Sequence, residues 1–171
     1  MRTSRPLMLV LFALFTVAAY GQTEPRYSDT AARFSVQPPV GWTIGKNDKG
    51  DPTVWGPKSG SITPNLNFRH VTSELTLDKF ADASIKYILD HYKDMGTEST
   101  ALESRGKFNT TSGIAGVKII FVSAYKGFNI KTTQYLFPRG QDKYLLTFTS
   151  LANETTDAAF DTSVRSFRFD K

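Results

Sequence analysis

Between Gly116 and Leu151 the chain reads GVKIIFVSAYKGFNIKTTQYLFPRGQDKYLLTFTSL, a block that leaves few choices of fold. Three runs rich in Val, Ile, Phe, Tyr and Thr are separated only by Lys126-Gly127 and by Pro138-Arg139-Gly140-Gln141-Asp142. β-Branched and aromatic residues fit a pleated, half-buried surface, and short glycine-containing breaks between such runs turn the chain back on itself. The block predicts three consecutive strands in the middle of one antiparallel sheet. In the first, Val117, Ile119, Phe121 and Tyr125 fall on one face and Ile120, Val122 and Ala124 on the other, so both faces need a cover.

Two amphipathic stretches can supply it. From Thr76 to Met95, Leu77, Phe80, Ala81, Ser84, Ile88, Tyr92 and Met95 recur at helical spacing, while Asp78, Lys79, Asp82, Lys86, Asp90 and Lys93 take the other side. Thr76 can cap the first turn and Gly96 can stop the last. Near the C-terminus, Phe160, Val164 and Phe167 repeat in the same way, behind Thr155 or Thr156 as cap. The flanking segments read as further strands: Arg33 to Gln37, Val40 to Ile44, Thr53 to Pro57, Ile62 to Val71 and Thr97 to Asn109. In the fourth of these, Leu66, Phe68 and His70 share one face and Asn65, Asn67 and Arg69 the other. The expected architecture is α+β, an antiparallel sheet of about six or seven strands flanked by a long central helix and a C-terminal helix.

The N-terminus bears on location. Arg2 and Arg5 precede an apolar run from Leu7 to Ala19, and Ala19-Tyr20-Gly21 offers small residues around a cut before Gln22, the pattern of a secretory signal peptide. The expected organisation is therefore a signal peptide over residues 1–21, a flexible polar N-terminus over 22–32 and a single domain over 33–171. The product would be exported, periplasmic or extracellular, with no second hydrophobic span. Losing Arg2 and Arg5 lowers the net charge of +5 to +3. The remaining lysines and arginines are scattered among acids, which speaks against nucleic acid as a partner. With no cysteine in the sequence, disulfides, thiolate metal sites and cysteine nucleophiles are excluded.

Catalytic motifs are not apparent. No G-x-S-x-G elbow or phosphate-binding glycine loop occurs, and Asp78 and Asp82 lie four apart on the polar side of a helix, where a solvated face is the simpler reading. His70 and His91 sit on different elements without metal-ligand spacing. Asn47 to Pro52 has the turn formers of a calcium loop, but Lys49 stands where an oxygen ligand is wanted. No cofactor and no metal are expected. Aromatic residues flanked by lysine make better contact points, and Trp55 with Lys58, and Tyr125 with Lys126 at a hairpin tip, are the candidate partner-binding residues.

The string Phe34-Ser35-Val36-Gln37-Pro38-Pro39-Val40-Gly41-Trp42, followed by a mid-chain amphipathic helix and by Tyr144 to Ser150, Phe160 and Ser166-Phe167-Arg168-Phe169, resembles the PsbP-like and DcrB-like group of small exported domains. That group shares its fold with a nuclear import factor that binds the GTPase Ran. The resemblance implies an α/β/α sandwich and an accessory or binding role. The leading expectation is an exported, non-enzymatic interaction module that binds another protein or an envelope complex. A second is a small-molecule binding protein with an apolar pocket between sheet and helix, lined by Phe68, Tyr92 and Tyr135. A third is a hydrolase, which needs His70 or His91 to meet a serine or carboxylate in space.

Overall fold

The computed structural model describes residues 26–60, 62–153 and 156–171. The signal-peptide stretch lies outside them. The strands are β1 (Tyr27–Asp29), β2 (Phe34–Val36), β3 (Thr43–Lys46), β4 (Pro52–Trp55), β5 (Asn65–Thr72), β6 (Ser99–Asn109), β7 (Ala115–Tyr125), β8 (Phe128–Arg139), β9 (Asp142–Leu151) and β10 (Arg168–Phe169). Helix α1 (Leu77–His91), prolonged by a 3-10 turn over Tyr92–Met95, joins β5 to β6, and α2 (Asp157–Arg165) follows β9. A seven-stranded antiparallel sheet runs β3-β4-β5-β9-β8-β7-β6, and a three-stranded sheet runs β1-β2-β10.

The Gly116–Leu151 block forms the hairpins β7–β8 and β8–β9, as its alternation requires. The first turn is tight because Lys126 and Gly127 both take positive φ, 48° and 79°, the backbone that matches the twist of the flanking strands. Gly116 is needed for another reason. A Cβ there would lie 2.5 Å from the Phe137 ring and 2.6 Å from the Leu136 carbonyl oxygen, so any side chain would displace the neighbouring strand.

Each face of the large sheet has its own core. On one, Ala81 and Ile88 of α1 pack on Val117, Ile119 and Phe121 of β7, Leu136 of β8 and Leu145 of β9. On the other, α2 and the small sheet bury Phe34, Val36, Phe160, Val164 and Phe167 against Leu66, Tyr135, Phe137, Tyr144, Leu146 and Phe148. Stacked pairs such as Phe137 with Phe167, centroids 4.7 Å apart, and Phe148 with Phe160, 4.3 Å apart, make this second core mainly aromatic. Asp161 of α2 ties helix to sheet: its Oδ1 accepts from Lys118 Nζ at 2.7 Å and from the Tyr135 hydroxyl. Burial, with Asp161 beside it, drives the Tyr135 phenol far above its ordinary pKa.

Two details depart from the sequence reading. Tyr27–Asp29, within the stretch read as a flexible approach to the domain, pairs with β2, and Tyr27 is buried with its ring stacked 4.2 Å from Phe68. The C-terminal helix ends at Arg165, so Phe167, read as part of its stripe, lies beyond it. Ser166 and Phe167 close the last turn onto the carbonyls of Ser163 and Val164, after which Arg168 and Phe169 pair with Ser35 and Phe34. At α1 the Thr76 hydroxyl accepts from the Lys79 amide, the cap expected there, and Gly96 takes φ +83° just past the 3-10 turn.

Candidate functional site

Helix α1 lies mainly over β6, β7 and β8 and reaches Leu145 of β9, leaving the β4–β5 side of that sheet face beyond it. Cross-strand partners share a face, so the register fixes what is left open. One row runs Thr53, Asn67, Thr147, Gln134, Ile119 and Arg105; the next runs Trp55, Asn65, Thr149, Thr132, Phe121 and Leu102. Each row is apolar on β7 beneath α1 and carries hydroxyls and amides on β8, β9, β5 and β4, Trp55 apart, with Gln134 of β8 bonded to Ser84 of α1. Between α1 and this floor lies a groove of about 520 Å³ bordered by Ser84, Tyr87, Ile88 and Tyr92. A second cleft of about 340 Å³ continues it towards Phe80, Ala83 and Val71, sharing Arg69, Ser84, Tyr87 and Leu145.

The floor is held in place by its own hydrogen bonds. Thr53 Oγ1 donates to Asn67 Oδ1 at 3.0 Å, and Asn67 Nδ2 donates to Asn65 Oδ1 at 2.7 Å. Ser84 of α1 donates to Gln134 Oε1 at 3.0 Å, while Gln134 Nε2 reaches Thr147 Oγ1 at 3.4 Å. With both ends of its amide engaged and 7% exposure, Gln134 is fixed in one orientation. The Tyr92 hydroxyl donates to Thr132 Oγ1 at 3.3 Å, and burial raises its pKa. Tyr87 stands at the outer rim, 59% exposed, its ring stacked 4.4 Å from His91. The charges at the groove are Asp51 and Arg69, one of each sign.

Of the residues singled out from sequence, Trp55 is half-buried on β4, paired with Thr43 and Asn65 and packed beside Gly45, so it extends the groove floor towards the sheet edge. Lys58 is exposed in the following loop. Tyr125 is half-buried at the end of β7 beside Gly96, with the Lys126 ammonium 5.1 Å from its ring centre. Strands β5, β9 and β8 lie between β4 and β7. At about 4.8 Å per strand, the two pairs stand roughly 19 Å or more apart, at separate places on the sheet.

The apolar pocket expected from Phe68, Tyr92 and Tyr135 is met in part. Tyr92 and Phe68 both border the groove, but the Phe68 ring stacks on Tyr27 in the opposite core, where Tyr135 is fully buried with its hydroxyl on Asp161. Alternation along β5 and β8 turns Asn67 and Gln134 towards α1 instead, which is why the cavity between helix and sheet has a polar floor. His70 faces Asp142, Nε2 to Oδ1 3.1 Å, and stacks on Tyr144; hydrogen bonds from Thr72 and His70 hold the Asp142 carboxyl below its usual range. His91 Nδ1 donates to the Tyr87 carbonyl at 2.9 Å. His70 thus meets a carboxylate, one of the two partners the hydrolase expectation named, while neither histidine has a serine among its hydrogen-bond partners; no group of three or more His, Asp or Glu able to hold a metal occurs among the described residues. Sequence reasoning did not single out Asn65, Asn67, Gln134 or Thr147; the signal was the polar alternation N-L-N-F-R and L-T-F-T inside otherwise apolar strands.

Comparison with known proteins gives no matching family model and no matching curated protein. Solved structures do match. The solution structure of cyanobacterial PsbP (CyanoP) from Synechocystis superposes with a TM-score of 0.65 at 14% identity, covering 91% of this chain and 98% of that one. The fold is that of PsbP and Mog1p. The Saccharomyces cerevisiae Ran-binding protein Mog1p aligns at TM-score 0.59 and 9% identity over 85% of this chain and 94% of its own. LpqN of Mycobacterium tuberculosis, described as involved in cell envelope biogenesis, aligns at TM-score 0.52 and 10% identity over 89% and 88%. The expected α+β architecture is thus the observed one. Among the described residues no helix is long and apolar enough to cross a membrane.

Proposed function

We propose that the protein is an exported, non-catalytic binding module that attaches to another component of the cell envelope, a protein or a complex, through the groove between α1 and the open half of the sheet. The observation that carries this reading is the floor: hydroxyl and amide groups oriented by one another beside a groove. Likeness to the Ran-binding protein Mog1p and to LpqN, described as acting in envelope biogenesis, supports a binding role, as does the signal-peptide pattern for export. In this reading Trp55 and Lys58 extend the contact surface at the β4 end, and Tyr125 with Lys126 form a second point of contact beyond the far end of α1. The test is capture of envelope components from the extracytoplasmic fraction by the tagged protein, alongside Tyr87→Ala and Trp55→Ala variants. A stoichiometric component retained by the parent and lost by the variants is the expected result; recovery of the protein alone, or equal retention by all three, contradicts it.

A further inference from the structure

We infer that what the groove grips on its envelope partner is a neutral oligosaccharide which that protein or complex carries; this rests on the groove being the recognition surface and adds the chemical class of what it recognises. The first argument is hydrogen-bonding capacity. After its internal bonds, Gln134 retains one amide hydrogen, Asn67 retains one amide hydrogen and acceptor capacity on Oδ1, and Thr147 retains its own hydroxyl hydrogen. These groups sit side by side on β5, β9 and β8. Their spacing is that of neighbouring strands, about 4.8 Å, close to the width of a sugar ring. A pyranose presents hydroxyls that both donate and accept along its edges, and a row of fixed amides and hydroxyls at ring spacing complements them.

The second argument is the wall. Tyr87 is more than half exposed and Tyr92 stands one turn further along α1, so aromatic surface overlooks the polar floor. Aromatic rings pack against the apolar C–H face of a sugar while the floor meets its polar edge. The third argument is exclusion of other ligands. Asp51 and Arg69 offset one another, so no cationic nest awaits an anion. An acyl chain laid on the floor would strip Asn67, Gln134 and Thr147 of water without replacing their hydrogen bonds. An extended peptide could not add to the sheet here, because β5, β9 and β8 are paired on both sides and the sheet's free edges are β3 and β6.

The test titrates the exported mature protein with hexamers of glucose (cellohexaose) and N-acetylglucosamine (chitohexaose), and with hexagalacturonate as an acidic control, following side-chain amide resonances. At least one neutral hexamer is expected to saturate in the micromolar to millimolar range, to move the Asn67 and Gln134 amide signals, and to bind at least about tenfold more tightly than the acidic one. Tyr87→Ala, at an exposed position that leaves folding intact, is expected to weaken binding about tenfold, and Asn67→Ala at least as much. No saturation with either neutral hexamer, or equal binding by parent and both variants, overturns the inference. If the sugars fail while capture of an envelope component still depends on Tyr87, the ligand class falls and the groove remains the recognition surface. If capture is also indifferent to Tyr87, both readings fall together.

Discussion

Under α1 the large sheet presents Val117, Ile119, Phe121 and Leu136 of β7 and β8; from Gln134 of β8 outward across β9, β5 and β4, on the same face, it presents Gln134, Thr147, Asn67 and Thr53. Both regions belong to one continuous hydrogen-bonded sheet, so backbone geometry does not distinguish them. What differs is the neighbour. Where the helix lies, burying apolar side chains stabilises the fold by about 25 cal/mol for each Å² removed from water. Towards and beyond the helix edge, the same pleat carries polar groups that are satisfied by one another and, at Gln134, by Ser84 of α1. A face of this kind is divided between stability and recognition, and the boundary runs along α1.

The division can be broken most severely from the covered side. Ile88→Asp, at a position 4% exposed, places an unpaired carboxylate between α1 and β7, and a loss of about 5 kcal/mol, enough to abolish cooperative unfolding, is expected by urea titration. Phe121→Ala, fully buried in the same core, should cost about 4 kcal/mol by the same measurement. The opposite face sharpens the comparison through pH. Burial of Tyr27, with Asp29 nearby, pushes its phenol up to about 12. Its folded value exceeds the unfolded one, so its stabilising contribution is whole below about pH 10 and is lost as pH rises from there towards about 12. Thermal melts across that window should show a decline that Tyr27→Phe reduces; an unchanged profile in the variant contradicts the assignment. On the open side effects on stability should be small: about 1 kcal/mol for Asn67→Ala, which removes two hydrogen bonds at a half-exposed site, and under about 0.5 kcal/mol for Tyr87→Ala.

Helix α1 and the β7–β8–β9 meander were legible in the sequence because their signals are local: a helical stripe with cap and glycine stop, and alternating strands joined by short turns. The small sheet was not. Strands β1 and β10 have three and two residues, too few for any periodicity, and exist because Phe34 pairs with Asp29 on one side and Phe169 on the other across the length of the chain. The same limit hid the groove. Asn65, Asn67 and Arg69 read correctly as one face of a strand, but their joining Thr147 and Gln134 depends on β5 pairing with β9, seventy or more residues on. Trp55 and Tyr125 each stood out for chemistry visible locally, while the strand order that separates them did not.

The account rests on the open half of the sheet being the recognition surface, and Tyr87 tests it most directly because it borders the groove while contributing little to the core. Quantitative capture of envelope components by Tyr87→Ala, with its melting temperature measured on the same sample, is predicted to show the bound component lost at a melting temperature matching the parent's. Full retention of that component by a folded Tyr87→Ala protein would contradict it.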